Sequence, residues 1–422
     1  MNPPASHPAD SRVNSRVGIN FILVCIFIDM LGIGLIVPVL PMLVGEFVDG
    51  RDMQAQWFGM LVTLFGLMQF LFMPLLGALS DRVGRRPVLL YSIIGVGINF
   101  LITAMATNLW MLAAGRVIGG MSSASLSVAN AYAADVSTPE NRAKSFGKVG
   151  AAFGLGFICG PMLGGLLGSV NLHLPFYAGA ALCAANAIYG FFFVPESLPK
   201  HLRTSFSFAR ANPLASLSHL AQRADIGGLV AVFALVTFSQ ILLQTTWVLY
   251  THFRFGWGPR ENGMALFCVG IVAAVVQAGL LGWLIRVFGE VRLSLLGLAS
   301  GSIVFVLYGL ATQGWMMYVF ILCNMLAFAA GPALQGIASR ATDPRQQGAL
   351  MGSLQALGSL AMVIVPVLGN SVLAEVSHFP ANDWRIGTTF YFGAGLQAIA
   401  LVLAWRYFAK HRMALAGSRR LS

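Results

Sequence analysis

The sequence predicts an all-α membrane protein, with twelve transmembrane helices in two pseudo-symmetric six-helix bundles. Three observations predict it. Hydrophobic residues make up 57% of the chain and charged residues only 10%, against about 25% charged in soluble domains, so lipid has to be most of the solvent. Twelve stretches are apolar for the length a helix needs to cross a bilayer, about 20 residues. An offset of 205 residues carries landmarks of the first half onto the second.

The stretches run over 18–41, 57–79, 88–107, 110–133, 146–169, 174–194, 226–251, 261–284, 291–312, 315–337, 348–374 and 387–409. They are continuous rather than alternating, which excludes a transmembrane β-barrel. The first is too long for the apolar core of a cleavable signal peptide and leads directly into a second span. Residues 1–17, with Pro3, Pro4 and Pro8, are expected to form a disordered tail. The bundles are expected at 18–195 and 225–409, joined by a polar linker over 196–224, with a second tail over 410–422.

The net charge of +11 follows topology and points to no nucleic-acid partner. Of the 26 Lys and Arg, only Arg51, Arg254, Arg260 and Arg385 fall on one side of the spans, and Arg116 lies inside one. By the positive-inside rule both termini are cytoplasmic. The five cysteines lie in apolar segments and read as small hydrophobes, with no metal site and no cofactor expected.

The repeat rests on several matches at one offset. Thr107, Trp110 and Met111 fall on Thr312, Trp315 and Met316, and Pro139 and Gly147 on Pro344 and Gly352. Gly77 and Gly84 fall on Gly282 and Gly289, and Pro161 and Gly164 on Pro366 and Gly369. Parallel repeats related by an axis along the membrane normal are a transporter arrangement, with the substrate site expected near the midplane.

Asp29 lies halfway along the first span, in Asp29-Met-Leu-Gly32-Ile-Gly34 and ahead of Pro38 and Pro41. A carboxylate at the helix centre costs about 3 kcal/mol on insertion scales. Such a residue faces the bundle interior and is a candidate for carrying a proton; the alternative is an acid satisfied by a polar neighbour or by Arg116. Arg116, in the fourth span, reads by itself as a snorkelling or structural cation. Gln69, Asn130, Gln240, Gln244 and Gln277 are candidate substrate contacts, with helix-bridging as the plainer role.

The loop after the second span reads Gly77-Ala-Leu-Ser-Asp81-Arg82-Val-Gly84-Arg85-Arg86-Pro87. Its glycines suit a tight reversal, and its charges suit an anchor at the membrane surface. The fifth span reads Gly156-Phe-Ile-Cys-Gly160-Pro161-Met-Leu-Gly164-Gly165; glycines four apart share one face and let backbones approach.

The loop resembles the signature of the major facilitator superfamily. The resemblance implies that Gly77, Asp81, Arg82, Gly84, Arg85 and Arg86 form a lock that holds the outward-facing state. The second half carries Arg286 where Asp81 stands, so that copy is expected to be degenerate. Gly156, Gly160, Pro161, Gly164 and Gly165 resemble the motif of drug/proton antiporters, and Arg116 a motif in which the arginine assists proton transfer. Over nearly the whole chain the sequence resembles the bacterial tetracycline/proton antiporters. It departs from them at Asn99 and Gly301, which fall where that family carries membrane acids.

The resemblance implies a multi-pass protein of the bacterial inner membrane. It would be a functional monomer in lipid that exports small amphipathic organic compounds against protons by alternating access. Two other readings stand beside this one: a metabolite importer or facilitator on the same fold, and a membrane sensor or enzyme. The seven histidines are scattered, and no HExxH or Walker loop is present, which argues against catalysis.

Overall fold

A computed structural model of the chain describes residues 8–137, 141–204, 227–340 and 347–410. Among these residues the regular elements are all helical. In the first half they are α1 (Pro8–Ile36), α2 (Leu40–Gly45), α3 (Arg51–Val83), α4 (Arg85–Ala104), α5 (Leu109–Ser122), α6 (Ser125–Asp135), α7 (Arg142–Val170) and α8 (Leu174–Phe193). The second half has α9 (Gly227–Phe255), α10 (Pro259–Ala274), a π-helical turn (Val275–Leu280), α11 (Leu281–Phe288), α12 (Glu290–Leu310), α13 (Gly314–Cys323), α14 (Met325–Arg340), α15 (Gln347–Val376) and α16 (Thr388–Lys410).

Ten helical runs are long and apolar enough to cross a membrane, and α13 with α14, bent by 42°, make an eleventh. The predicted fourth span is occupied by α5 and α6, each shorter than a span and separated at Ser123-Ala124. The predicted segments therefore match the helices, but their interruptions were not foreseen. Pro38 lies in the break between α1 and α2 and Pro41 is the second residue of α2, where proline removes a backbone donor. The other breaks carry no such marker.

The expected disordered tail is corrected in part. Residues 8–17 are helical and run into the first span, since proline is tolerated at the first helical position. Residues 1–7 lie outside the described residues, as do 205–224 of the expected linker, the tail from 411 and the pair Pro139 and Pro344.

The repeat is visible in the packing. In the first half α1 packs on α7 and α8, and α4 on α5 and α8; in the second α9 packs on α15 and α16, and α12 on α14 and α16. Local details recur at the same offset. Thr107 Oγ1 approaches Met111 Sδ at 3.6 Å, and Thr312 Oγ1 approaches Met316 Sδ at 3.7 Å. Gly84 and Gly289 adopt φ of +116° and +72°, a region that glycine enters without the Cβ penalty. Only Gly84 serves the reversal before α4; Gly77 stays inside α3.

The described chain forms two compact units. The first takes the residues up to Phe47, those from Leu67 to 204, and Pro259–Met264; the second takes Val48–Gly66, 227–258, and the residues from Ala265 on. Short segments of α3 and α10 thus depart from the expected bundle boundaries. Small residues explain both cases, because they let backbones touch. In the second unit a Cβ on Gly66 would lie 2.7 Å from the Met362 carbonyl oxygen, and Thr63 donates to the Val363 carbonyl at 3.0 Å. In the first unit a Cβ on Gly165 would lie 2.5 Å from the Pro259 carbonyl oxygen and 2.9 Å from the Gly263 Cα.

Candidate functional site

Asp29 sits on the α1 face turned to α6 and α8. It is 4% exposed. Ser125, the first residue of α6, lies beside its carboxylate, whose Oδ1 has no hydrogen-bond partner. The thiols of Cys25 and Cys183 feel its charge, and Cys25 donates to Asn186 Oδ1 at 3.1 Å. A buried carboxylate oxygen without a partner is costly, and in a membrane interior such groups mark ion and proton pathways.

The break between α5 and α6 organises this region. Ser122 packs against Gly95 of α4 so closely that a Cβ there would clash. Gln69 of α3 donates to Ser123 Oγ at 2.8 Å. Asp29, Gln69 and the start of α6 are therefore joined through one short segment. Two of these were candidates from sequence; the serines were not.

Arg116, also buried, donates to Asn99 Oδ1 at 3.1 Å. Asn99 is held in turn by α5, since Cβ atoms on Gly115 and Gly119 would meet its amide. At Gly301 an added Cβ would run into the buried Gln397 side chain. Asn99 and the space beside Gly301 thus each hold a neutral amide, the second supplied by Gln397 of α16.

The fifth-span glycines face α1. A Cβ on Gly156 would lie 2.5 Å from the Phe27 carbonyl oxygen, and one on Gly160 would lie 2.6 Å from the Gly34 Cα. Gly164 meets Leu35 in the same way. These three positions seat α7 on the helix that carries Asp29, while Gly165 meets α10.

The loop after α3 is built around Arg85. It pairs with Asp81 at 2.5 Å and with Asp135, at the end of α6, at 3.1 Å. Glu196, just past α8, accepts from the backbone N–H groups of Arg85 at 2.8 Å and Arg86 at 3.3 Å. Thr204 donates to the Asp81 carbonyl at 3.1 Å and Tyr132 to the Pro195 carbonyl at 3.0 Å. The start of the expected linker is therefore docked on this loop. Arg86 bonds the Phe191 carbonyl, whereas Arg82 is exposed.

The second-half copy, in which Arg286 stands for Asp81 and Val287 and Val291 for Arg82 and Arg86, keeps one ion pair with its charges exchanged. Glu290 and Arg340 form an ion pair at the positions that the offset assigns to Arg85 and Asp135. The remaining substrate candidates divide between the units. Asn130 on α6 is half-buried; Gln240 and Gln244 lie on α9, and the exposed Gln277 lies on the π-helical turn. Such turns are frequent at functional sites.

Ten or eleven helices able to cross a membrane, arranged as a repeat and with one acid buried among the described residues, mark a secondary transporter. The chain matches the Major Facilitator Superfamily over residues 22–366 and belongs to that family. It is 38% identical to the tetracycline resistance protein, class C, of Escherichia coli, over 90% of this chain and 94% of that one. It is 36% identical to the class G protein of Vibrio anguillarum, over 92% and 97%. Among solved structures it is similar to the human organic anion transporter MFSD10 (TETRAN), with a TM-score of 0.67 and 26% identity over 92% of this chain and 99% of that one.

Proposed function

We propose that the protein exports small amphipathic organic compounds in exchange for protons across the bacterial inner membrane. The observation that carries this reading is Asp29, buried and with one oxygen unpartnered. The similarity to tetracycline resistance proteins supports it. Asp29 takes up a proton from outside and releases it inside, Arg116 supports that step, and Gln69, Asn130, Gln240, Gln244 and Gln277 contact the substrate. The network of Asp81, Arg85 and Asp135 is the lock. The chain works as a monomer with both termini in the cytoplasm, where its basic loops lie.

A second reading is favoured by one observation. Asn99 and the Gly301–Gln397 pair are neutral where a cationic drug chelate would meet acids, and a related transporter carries organic anions. Import or facilitated passage of an anionic metabolite follows from that reading.

Everted vesicles acidified by respiration and challenged with tetracycline and other amphipathic drugs separate the two. Export predicts drug-induced alkalinisation that Asp29→Asn abolishes. Alkalinisation of equal size in that variant refutes the role of Asp29. No response to any drug, with uptake of an organic anion, favours the second reading.

A further inference from the structure

One end of the first unit is tied together by His173, a histidine that the export reading leaves without a role. His173 closes the turn before α8 and lies between the ends of two other helices. Its Nδ1 is 2.9 Å from the carbonyl oxygen of Ala104, the last residue of α4. Its Nε2 is 3.5 Å from Oε2 of Glu46, which caps the end of α2. Asn171 fixes the turn itself, since its Oδ1 accepts the His173 backbone N–H at 2.8 Å. All of these residues belong to the first unit.

A carbonyl oxygen and an ionised carboxylate only accept hydrogen bonds, so both ring nitrogens face acceptors. A neutral imidazole carries a single N–H. With that N–H given to Ala104, Nε2 turns a lone pair toward the Glu46 carboxylate. The imidazolium carries both N–H groups and suits both neighbours. We propose that His173 and Glu46 form a pH-operated clasp, closed when the ring is protonated, that joins the ends of the first and third spans to the turn before the sixth. Imidazole changes charge between about pH 5 and 8, so the pairing is present in acid and lost as the pH rises. By the topology proposed above, on which this inference rests, the clasp lies outside. That is the side from which an exporter driven by protons would draw them, so the clasp senses the supply at its source.

Few other charges reach this end of the unit. The chain has none between Asp29 and Glu46, none in α4 after Arg86, none in α7 after Lys148 and none in α8. Asp49, Arg51 and Asp52 follow Glu46 but belong to the second unit. From α10 come Arg260 and Glu261, beside Pro259, which meets α7 at Gly165 and Gly168. Of these groups the ring pairs with Glu46.

Hydrogen–deuterium exchange of the full chain in detergent tests this without a substrate. The two side chains are 28% and 46% exposed, and exposed pairs are weak. Peptides spanning 42–48 should therefore exchange only about threefold more slowly at pH 5.5 than at pH 8, after correction for the intrinsic rate. The difference should vanish in Glu46→Gln and in His173→Asn, whose amide keeps a donor near the place of Nδ1 but takes up no charge. The double variant should behave as either single one. In intact cells a membrane-impermeant maleimide should label Glu46→Cys above the wild type.

Exchange in 42–48 that is independent of pH in the wild type, or a pH difference left intact in His173→Asn, overturns the inference. If His173→Asn does not fold, a difference left intact in Glu46→Gln overturns it equally. Labelling of Glu46→Cys in everted vesicles alone places the clasp inside and overturns its sensing of the exterior. A wild type whose exchange responds to pH but which releases no protons with any drug refutes the export reading and leaves the clasp standing.

Discussion

In the first repeat Arg85 opens α4 and pairs with Asp135; in the second, Glu290 opens α12 and pairs with Arg340. Each pair follows a glycine with positive φ, and the offset places Arg286 where Asp81 stands. This one pair is kept with its signs exchanged, while Val287 and Val291 replace Arg82 and Arg86. The reversal has a consequence at the helix ends. Glu290 places an acid in the first turn of α12, where the dipole favours it. Arg85 and Arg86 place two bases in the first turn of α4, where the dipole opposes them. Among the described residues only the first repeat has a carboxylate brought from elsewhere to that end: Glu196, which accepts both N–H groups. The comparison teaches that the pair requires opposite charges, whereas the helix end requires a negative one.

Six substitutions test this, in order of expected effect. Arg85→Glu sets a fourth carboxylate beside Asp81, Asp135 and Glu196, and should lower stability by about 3 kcal/mol. Adding Asp135→Arg recreates the arrangement of the second repeat and should recover more than half of that loss. The midpoint of thermal denaturation in detergent reads both, and no recovery in the double variant would refute the equivalence of the repeats.

Glu196→Gln should cost about 2 kcal/mol, because it weakens two hydrogen bonds at a basic helix end. It should also make 195–204 more sensitive to limited proteolysis. Gly84→Ala should cost more than Gly289→Ala, which is expected to lose about 1 kcal/mol from positive φ alone. A Cβ at Gly84 also meets the Glu196 carboxylate, whereas one at Gly289 meets nothing. Equal losses in a denaturation assay would show that Glu196 is not held where described. Glu290→Gln should cost under about 1 kcal/mol, since Arg340 is 65% exposed and exposed pairs contribute little.

Much of the architecture was legible because the bilayer imposes a length on every span. The interruptions were not, because a broken and an unbroken apolar helix have the same composition; Ser123-Ala124 and Asn324 carry no proline. Asp29 was legible for the same reason as the spans, being an acid where acids are expensive. Its partner was not. Arg116 was weighed for that place from sequence, yet its guanidinium holds Asn99, and the polar group beside the acid is Ser125. Gln397, which fills the space beside Gly301, lies nearly a hundred residues away in the chain, and no local pattern signals it.

By itself the sequence determined the twelve membrane segments, their repeat, the buried acid and the motif glycines. Each of these follows from composition and spacing against a solvent of known thickness. Only the tertiary structure decided which groups meet: a serine beside the acid, an asparagine on the arginine, a glutamate at the end of α4, and an inverted ion pair in the second repeat. Contacts of that kind depend on helix rotation and backbone approach to within an ångström, which many sequences with the same apolar pattern would set differently.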